Sequence, residues 1–121
     1  MAKYVDGFVL VVPKKKAAEY RKMATMGKKM WMEHGALDYK ECVGDDLKTK
    51  SMGGMKPRSF TEMAGAKPSE TVWFSFIVFK SKKHRDQVNA KVMKEMEEQG
   101  DKYKDMPMLF DMQRMAVGGF N

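Results

Sequence analysis

Two stretches of the chain are apolar on both of the faces that a strand presents. In Glu70–Phe79 (ETVWFSFIVF), Val72, Phe74, Phe76 and Val78 share one parity. Trp73, Ile77 and Phe79 share the other, broken only by Ser75. In Tyr4–Val12 (YVDGFVLVV), Val5, Val9 and Val11 stand against Tyr4, Phe8, Leu10 and Val12. Successive strand side chains point to opposite faces, and an antiparallel sheet with one wet face alternates apolar with polar residues. These strands therefore need cover front and back. Tyr4, Phe8, Leu10, Trp73, Ile77 and Phe79 together would contribute about 10 kcal/mol if buried, at roughly 1.5–3 kcal/mol for each large group. Left open, either face would exceed the apolar patch that monomers usually expose.

The rest of the chain supplies cover for one face only. Pro13 ends the first strand, and its fixed φ suits a helix entry. From Lys14 to about His34 the period changes: Ala17, Tyr20, Ala24, Gly27, Trp31 and His34 recur at three- and four-residue spacing, with Met23 and Met30 widening the stripe and lysines opposite. This is an amphipathic helix closed by Gly35. Leu37–Val43 reads as a strand with one wet face, ended by Gly44-Asp45-Asp46. Residues 47–69 are rich in Lys, Ser, Gly and Pro and read as a long irregular excursion with a short strand near Ser59–Met63. After the Glu70–Phe79 strand, Ser81 caps a second helix reaching about Gln99, with Val88, Val92 and Met96 on one face and Gly100 as its terminator. Residues 101–110 read as a turn or short helix broken by Pro107, and Met112–Gly118 as a last strand.

The order βαββαβ is the split βαβ arrangement. We expect an α+β, ferredoxin-like single domain over residues 1–121, with a four-stranded antiparallel sheet and two helices on one face. The second face is then the place for another copy, packed sheet to sheet about a two-fold axis. A homodimer through the sheet face is expected, the alternatives being a lid from residues 47–69 or a bound apolar ligand.

The bulk properties are consistent with this reading and narrow the partners. The length of 121 residues suits one domain. Cys42 is the only cysteine, so no intramolecular disulfide or CxxC pair exists, and a reducing, cytoplasmic setting is expected. No apolar run approaches the roughly 20 residues that span a bilayer, and no signal peptide is visible, so no membrane partner is expected. The net charge is +7, of which +6 lies in residues 1–60. That field permits attraction to anions, but a solvated lysine face explains it equally well, and a nucleic-acid partner is not the expectation.

Five segments, YVDGF (4–8), HGALDYKECVGDD (34–46), VWFSFIVFKSKKHRDQVNAKVM (72–93), MP (106–107) and RMAVGGF (114–120), resemble the YbaA-like family of small conserved bacterial proteins of unknown function. The resemblance covers most of the chain and departs between Leu47 and Ala66. It implies the dimeric α+β-barrel version of the ferredoxin-like fold and no established reaction. The wider superfamily includes cofactor-independent monooxygenases, haem-degrading enzymes, stress-response dimers and ligand-sensing modules, and fold alone does not choose among them.

Candidate chemistry rests on few residues. His34 follows Trp31 on the apolar stripe; it reads as a proton shuttle or ligand contact at a pocket mouth, or as a helix-end cation favoured by the macrodipole. His84 and Arg85, after Ser81-Lys82-Lys83, read as an anion site at a helix start or as a solvated strand-to-helix corner. Asp6, Glu41 and Arg114 fall within the expected strands, where charges are rarely buried unless paired. They read as an ion pair of Arg114 with one acid, or as a polar cluster in a cavity between sheet and helices that Asn89 joins. Catalytic candidates are thus His34, Asp6, Glu41 and Arg114, and ligand-binding candidates Trp31, His84, Arg85 and Asn89. The 14 methionines read as adaptable core filling rather than a Cu(I) site. No Walker loop, dinucleotide fingerprint, zinc spacing or GxSxG elbow is present, and no metal or cofactor is expected. Three functions remain open: a dimer holding a small, partly apolar ligand between sheet and helices, a cofactor-independent monooxygenase-type enzyme using His34 or Asp6 near Trp31, and an RNA-binding module using the basic first helix.

Overall fold

Ten-residue strands with β-branched and aromatic side chains form the centre of the structure. The computed structural model describes residues 3–103, 106 and 108–121. In chain order the elements are β1 (Tyr4–Pro13), a 3-10 turn (Lys14–Lys16), α1 (Ala17–Glu33), β2 (Asp38–Val43), α2 (Phe60–Ala64), β3 (Glu70–Phe79), α3 (Lys82–Glu98), α4 (Gly100–Tyr103), a second 3-10 turn (Met112–Arg114) and β4 (Ala116–Phe120). The four strands make one antiparallel sheet in the order β2-β3-β1-β4. The fold is α+β. The expected break at Pro107 lies outside the described residues.

Register assigns the two faces. Leu10 pairs with Trp73, Phe8 with Ser75, Asp6 with Ile77 and Tyr4 with Phe79. These side chains point towards α1 and α3. Leu10, Val12, Tyr20, Ala24, Trp73 and Leu109 form one buried cluster, and Met30, Ala36, Tyr39, Ile77, Phe79, Val88 and Val92 another. The opposite parity pairs Val5 with Val78, Gly7 with Phe76, Val9 with Phe74 and Val11 with Val72. Among the described residues, Ala64, Leu47 and Ala66 cover the Val11–Val72 end of that face. Phe74 stays 44% exposed, Phe60 46% and Phe120 62%. Phe60, Phe74 and Phe76 stack in sequence at 6.4 and 6.1 Å between centroids. The excursion thus roofs one end of the second face and leaves an aromatic strip beside it.

Local chemistry explains the helix boundaries. α1 ends in a Schellman motif: Gly35 N–H bonds Met32 O at 3.2 Å and Ala36 N–H bonds Trp31 O at 3.0 Å. Gly35 sits at φ +112°, where a side chain would be strained. The Ser81 hydroxyl accepts from His84 N–H and starts α3.

Three sequence expectations are corrected. The segment read as a short strand near Ser59–Met63 is helix α2, because Ser59 and Glu62 form a capping box: the Ser59 hydroxyl accepts from Glu62 N–H at 3.0 Å and contacts Glu62 Oε1 at 3.2 Å. Gly65 closes it at φ +67°. The last strand begins at Ala116, not Met112, because the Asp111 carboxylate accepts from Gln113 N–H and draws Met112–Arg114 into a 3-10 turn. The methionines expected as core filling are mostly exposed, Met30 being the one buried among those described.

The same turn takes Arg114 out of the strand and away from Asp6 and Glu41. Its guanidinium grips Glu70 with bonds of 2.8 and 2.7 Å, reaches Asp111 at 2.7 Å and donates to Gly65 O at 2.9 Å. The Arg114 hydrogen bonds, with the Lys67 N–H, bring the Glu70 carboxyl from the usual 4.5 down to about 2. A depressed acid contributes stability that is present above its unfolded pKa and lost as pH falls through its folded one. Wild type is therefore expected to lose stability between pH 4.5 and about 2 through this group. Arg114→Ala is expected to lack that contribution, so the gap between the urea midpoints of wild type and variant narrows across the window.

Candidate functional site

Between the helix-facing side of the sheet and α1 and α3 lies a cavity of about 720 Å³. Amphipathic helices laid over a twisted sheet leave such a space where their stripe carries small or flexible residues. Here Ala24 and Gly27 supply the small ones. Met23, Met26 and Met30 on α1, Met93 and Met96 on α3, and Met106, Met108 and Met115 from the C-terminal segment supply the flexible ones. Eight of the 14 methionines thus line one cavity. Unbranched thioether side chains fill irregular gaps and re-pack around different shapes.

The polar groups of the cavity form two clusters. In the first, Glu41 on β2 accepts a hydrogen bond on each oxygen, from Tyr20 Oη at 3.0 Å and Tyr39 Oη at 2.9 Å. Ser75 lies directly across the ladder from Glu41 and is buried beside it. Burial pushes the Glu41 carboxyl up, opposed by the three hydroxyls. Burial, then the Glu41 charge, pushes both tyrosine hydroxyls well above their ordinary value. Both phenols stay protonated and donate. In the second cluster, Asp6 on β1 pairs with Arg85 Nη1 at 2.6 Å, with Asp6 almost wholly buried. Arg85 also bonds Asp86 at 2.7 Å and lies over the Tyr4 ring at 5.0 Å. Between the helices, Trp31 Nε1 donates to Asn89 Oδ1 at 3.0 Å.

Gly27 sits where α1 passes over this first cluster. A Cβ there would stand 2.9 Å from the Tyr39 hydroxyl oxygen. Gly27→Ala gains about 1 kcal/mol of helix propensity but displaces a hydroxyl bonded to a carboxylate, and such bonds contribute about 1.5–3 kcal/mol. The second effect is the larger. The variant is expected to be about 1 kcal/mol less stable by urea denaturation.

Five of the eight sequence candidates line the cavity: Asp6, Trp31, Glu41, Arg85 and Asn89. The other three lie elsewhere. His34 caps the end of α1, its Nε2 3.6 Å from Glu95 Oε2 and without a hydrogen-bond partner. His84 Nδ1 accepts from Lys80 N–H at 3.0 Å, and its ring meets Phe79 edge-on. Arg114 holds Glu70, as described. The residues that sequence reasoning passed over are Tyr20, Tyr39 and Ser75. Their signal was parity: Tyr39 and Glu41 share a strand face, and Ser75 is the one polar break in its apolar row. Among the described residues, no group of three His, Cys, Asp or Glu side chains is placed to hold a metal ion, and no helix is long and apolar enough to cross a membrane.

Comparison with known proteins places the chain. It is 40% identical over 120 residues to the uncharacterized protein YbaA of Escherichia coli strain K12, covering 98% of this chain and 94% of that one. The YbaA protein of Shigella flexneri matches with the same identity and coverage. A de novo designed protein, Foldit4, aligns over 99% of the chain with a TM-score of 0.46 and 10% identity, a likeness too slight to bear on the fold. A family model described as "Protein of unknown function (DUF1428)" matches residues 3–112. With that match over most of its length and YbaA proteins among its relatives, the chain belongs to the DUF1428 family.

Proposed function

We propose that the protein is a homodimer that binds a small, partly apolar molecule in the cavity between its sheet and helices. The observation that carries the ligand reading is the cavity itself: about 720 Å³, walled by methionines and aromatic rings, with Glu41, Asp6 and Arg85 converging on it. That size falls within the range of small-molecule sites, as does a lining mostly apolar with a few fixed polar groups. The dimer reading is supported by the strand order β2-β3-β1-β4 and by the exposed strip of Phe60, Phe74 and Phe120 beside half-buried Phe76. In it, two ferredoxin-like sheets pack face to face as a dimeric α+β barrel, and each copy keeps its own cavity on the far side of its sheet.

Native mass spectrometry of protein purified from its natural source tests the ligand reading. The expected spectrum shows added mass from a retained small molecule, lost on mild denaturation. Ala24→Trp, which fills the cavity, is expected to abolish it. The bare chain mass in native spectra, with no added mass in any charge state, contradicts the reading.

A further inference from the structure

Among the described residues, one carboxylate of the cavity has no countercharge. Among the described Lys and Arg residues only Arg85 lines it, whereas Asp6 and Glu41 both do. Arg85 is already committed, with Nη1 on Asp6 and Nε on Asp86. Among the described residues no ion pair reaches Glu41. In a chain of net charge +7, the cavity is locally negative.

The hydrogen-bond inventory has the same sense. The Tyr20 and Tyr39 hydroxyls spend their only protons on Glu41. What remains around the carboxylate is lone pairs: those of the phenol oxygens and those of Glu41 itself. The cluster has acceptors to offer and must receive donors. Phe8, Trp31 and Phe110 complete the wall, with Trp31 6.1 Å from Tyr39 and Phe110 6.2 Å from Tyr20 between centroids. Aromatic faces attract cations.

We propose that the Glu41–Tyr20–Tyr39 cluster is the head-group site for a small apolar amine, bound as its ammonium ion with its body among the methionines. This deepens the ligand-binding reading above and rests on it. An ammonium brings three donors and no acceptor, balances the unpaired carboxylate and meets the ring faces. Its charge would also offset the burial that pushes the Glu41 carboxyl up. An anionic head group would meet Glu41, and among the described residues the cavity offers no uncommitted cation to hold it; an alcohol would bring a single donor and no charge.

Isothermal titration of the wild-type protein at pH 7 with hexylamine, 1-hexanol and hexanoate tests this, with Trp31 fluorescence as a second readout. Hexylamine is expected to bind at least tenfold more tightly than 1-hexanol, with hexanoate weakest. Glu41→Gln is expected to remove the amine preference, bringing the hexylamine and 1-hexanol affinities to within about twofold of each other. Should that variant fail to fold, Tyr39→Phe keeps the carboxylate and is expected to reduce the preference severalfold. Binding of 1-hexanol or hexanoate as tight as the amine in wild type overturns the ammonium assignment and leaves the ligand cavity standing. A preference that survives intact in Glu41→Gln, or in Tyr39→Phe where that is the variant tested, also overturns it. Failure of all three probes to bind overturns the assignment and the ligand-binding reading together.

Discussion

Arg85→Ala is expected to destabilise the protein by about 3 kcal/mol, the lower end of the range for removing one partner of a buried ion pair. Asp6 is the partner left behind. Its side chain is 7% exposed and 2.6 Å from the Arg85 guanidinium, so the variant leaves a nearly buried charge without its partner. The Tyr4 ring loses the cation over its face as well. A strong pair is not thereby a large net contributor, because desolvating both ions offsets most of their attraction. Hence the double variant Asp6→Asn/Arg85→Met, which removes both charges and keeps the volumes, is expected to recover most of the loss. Urea denaturation of the two variants checks the pair of outcomes. A single variant within 1 kcal/mol of wild type would mean that Asp6 finds another donor.

Phe74→Asp is expected to separate the proposed dimer, weakening association by about 2 kcal/mol or more, roughly 30-fold in Kd, as truncation of a central aromatic anchor does. Phe74 stands mid-strand on the uncovered face, stacked between Phe60 and Phe76. In the free chain it is 44% exposed, so the substitution removes little intrachain packing. Chain stability in dilute solution should change far less than association does. Size-exclusion chromatography with light scattering separates the two effects. Loss of folded structure along with the dimer would instead show that Phe74 is core.

The central strands were legible in the sequence because period-two parity is geometric: once Val9 pairs with Phe74 and Leu10 with Trp73, every side chain's face follows. The helices were legible from their three- and four-residue stripe and from Gly35 and Ser81 at their ends. α2 was not, because five residues are too few for a periodicity and its only signal is the Ser59–Glu62 box. The 3-10 turn before β4 was hidden likewise, since a single Asp111 side chain redirects it. At the site, buried acids inside strands were visible as anomalies, which is how Asp6 and Glu41 were found. Their partners were not. Arg85 lies 79 positions from Asp6 and Tyr20 lies 21 from Glu41, and pairing at that distance depends on how the helices dock rather than on any local pattern. The methionines, expected as core filling, are mostly exposed, with Met30 the one buried among those described, and the gathering of eight of them around a single cavity depends on the docked helices.

Sedimentation equilibrium of the unmodified chain at micromolar concentration bears most directly on the claim that a second copy covers the open sheet face. A mass twice the 13.9 kDa of the chain, falling towards the single-chain value in Phe74→Asp, is the expected result. A wild-type particle of 13.9 kDa at every concentration would contradict it.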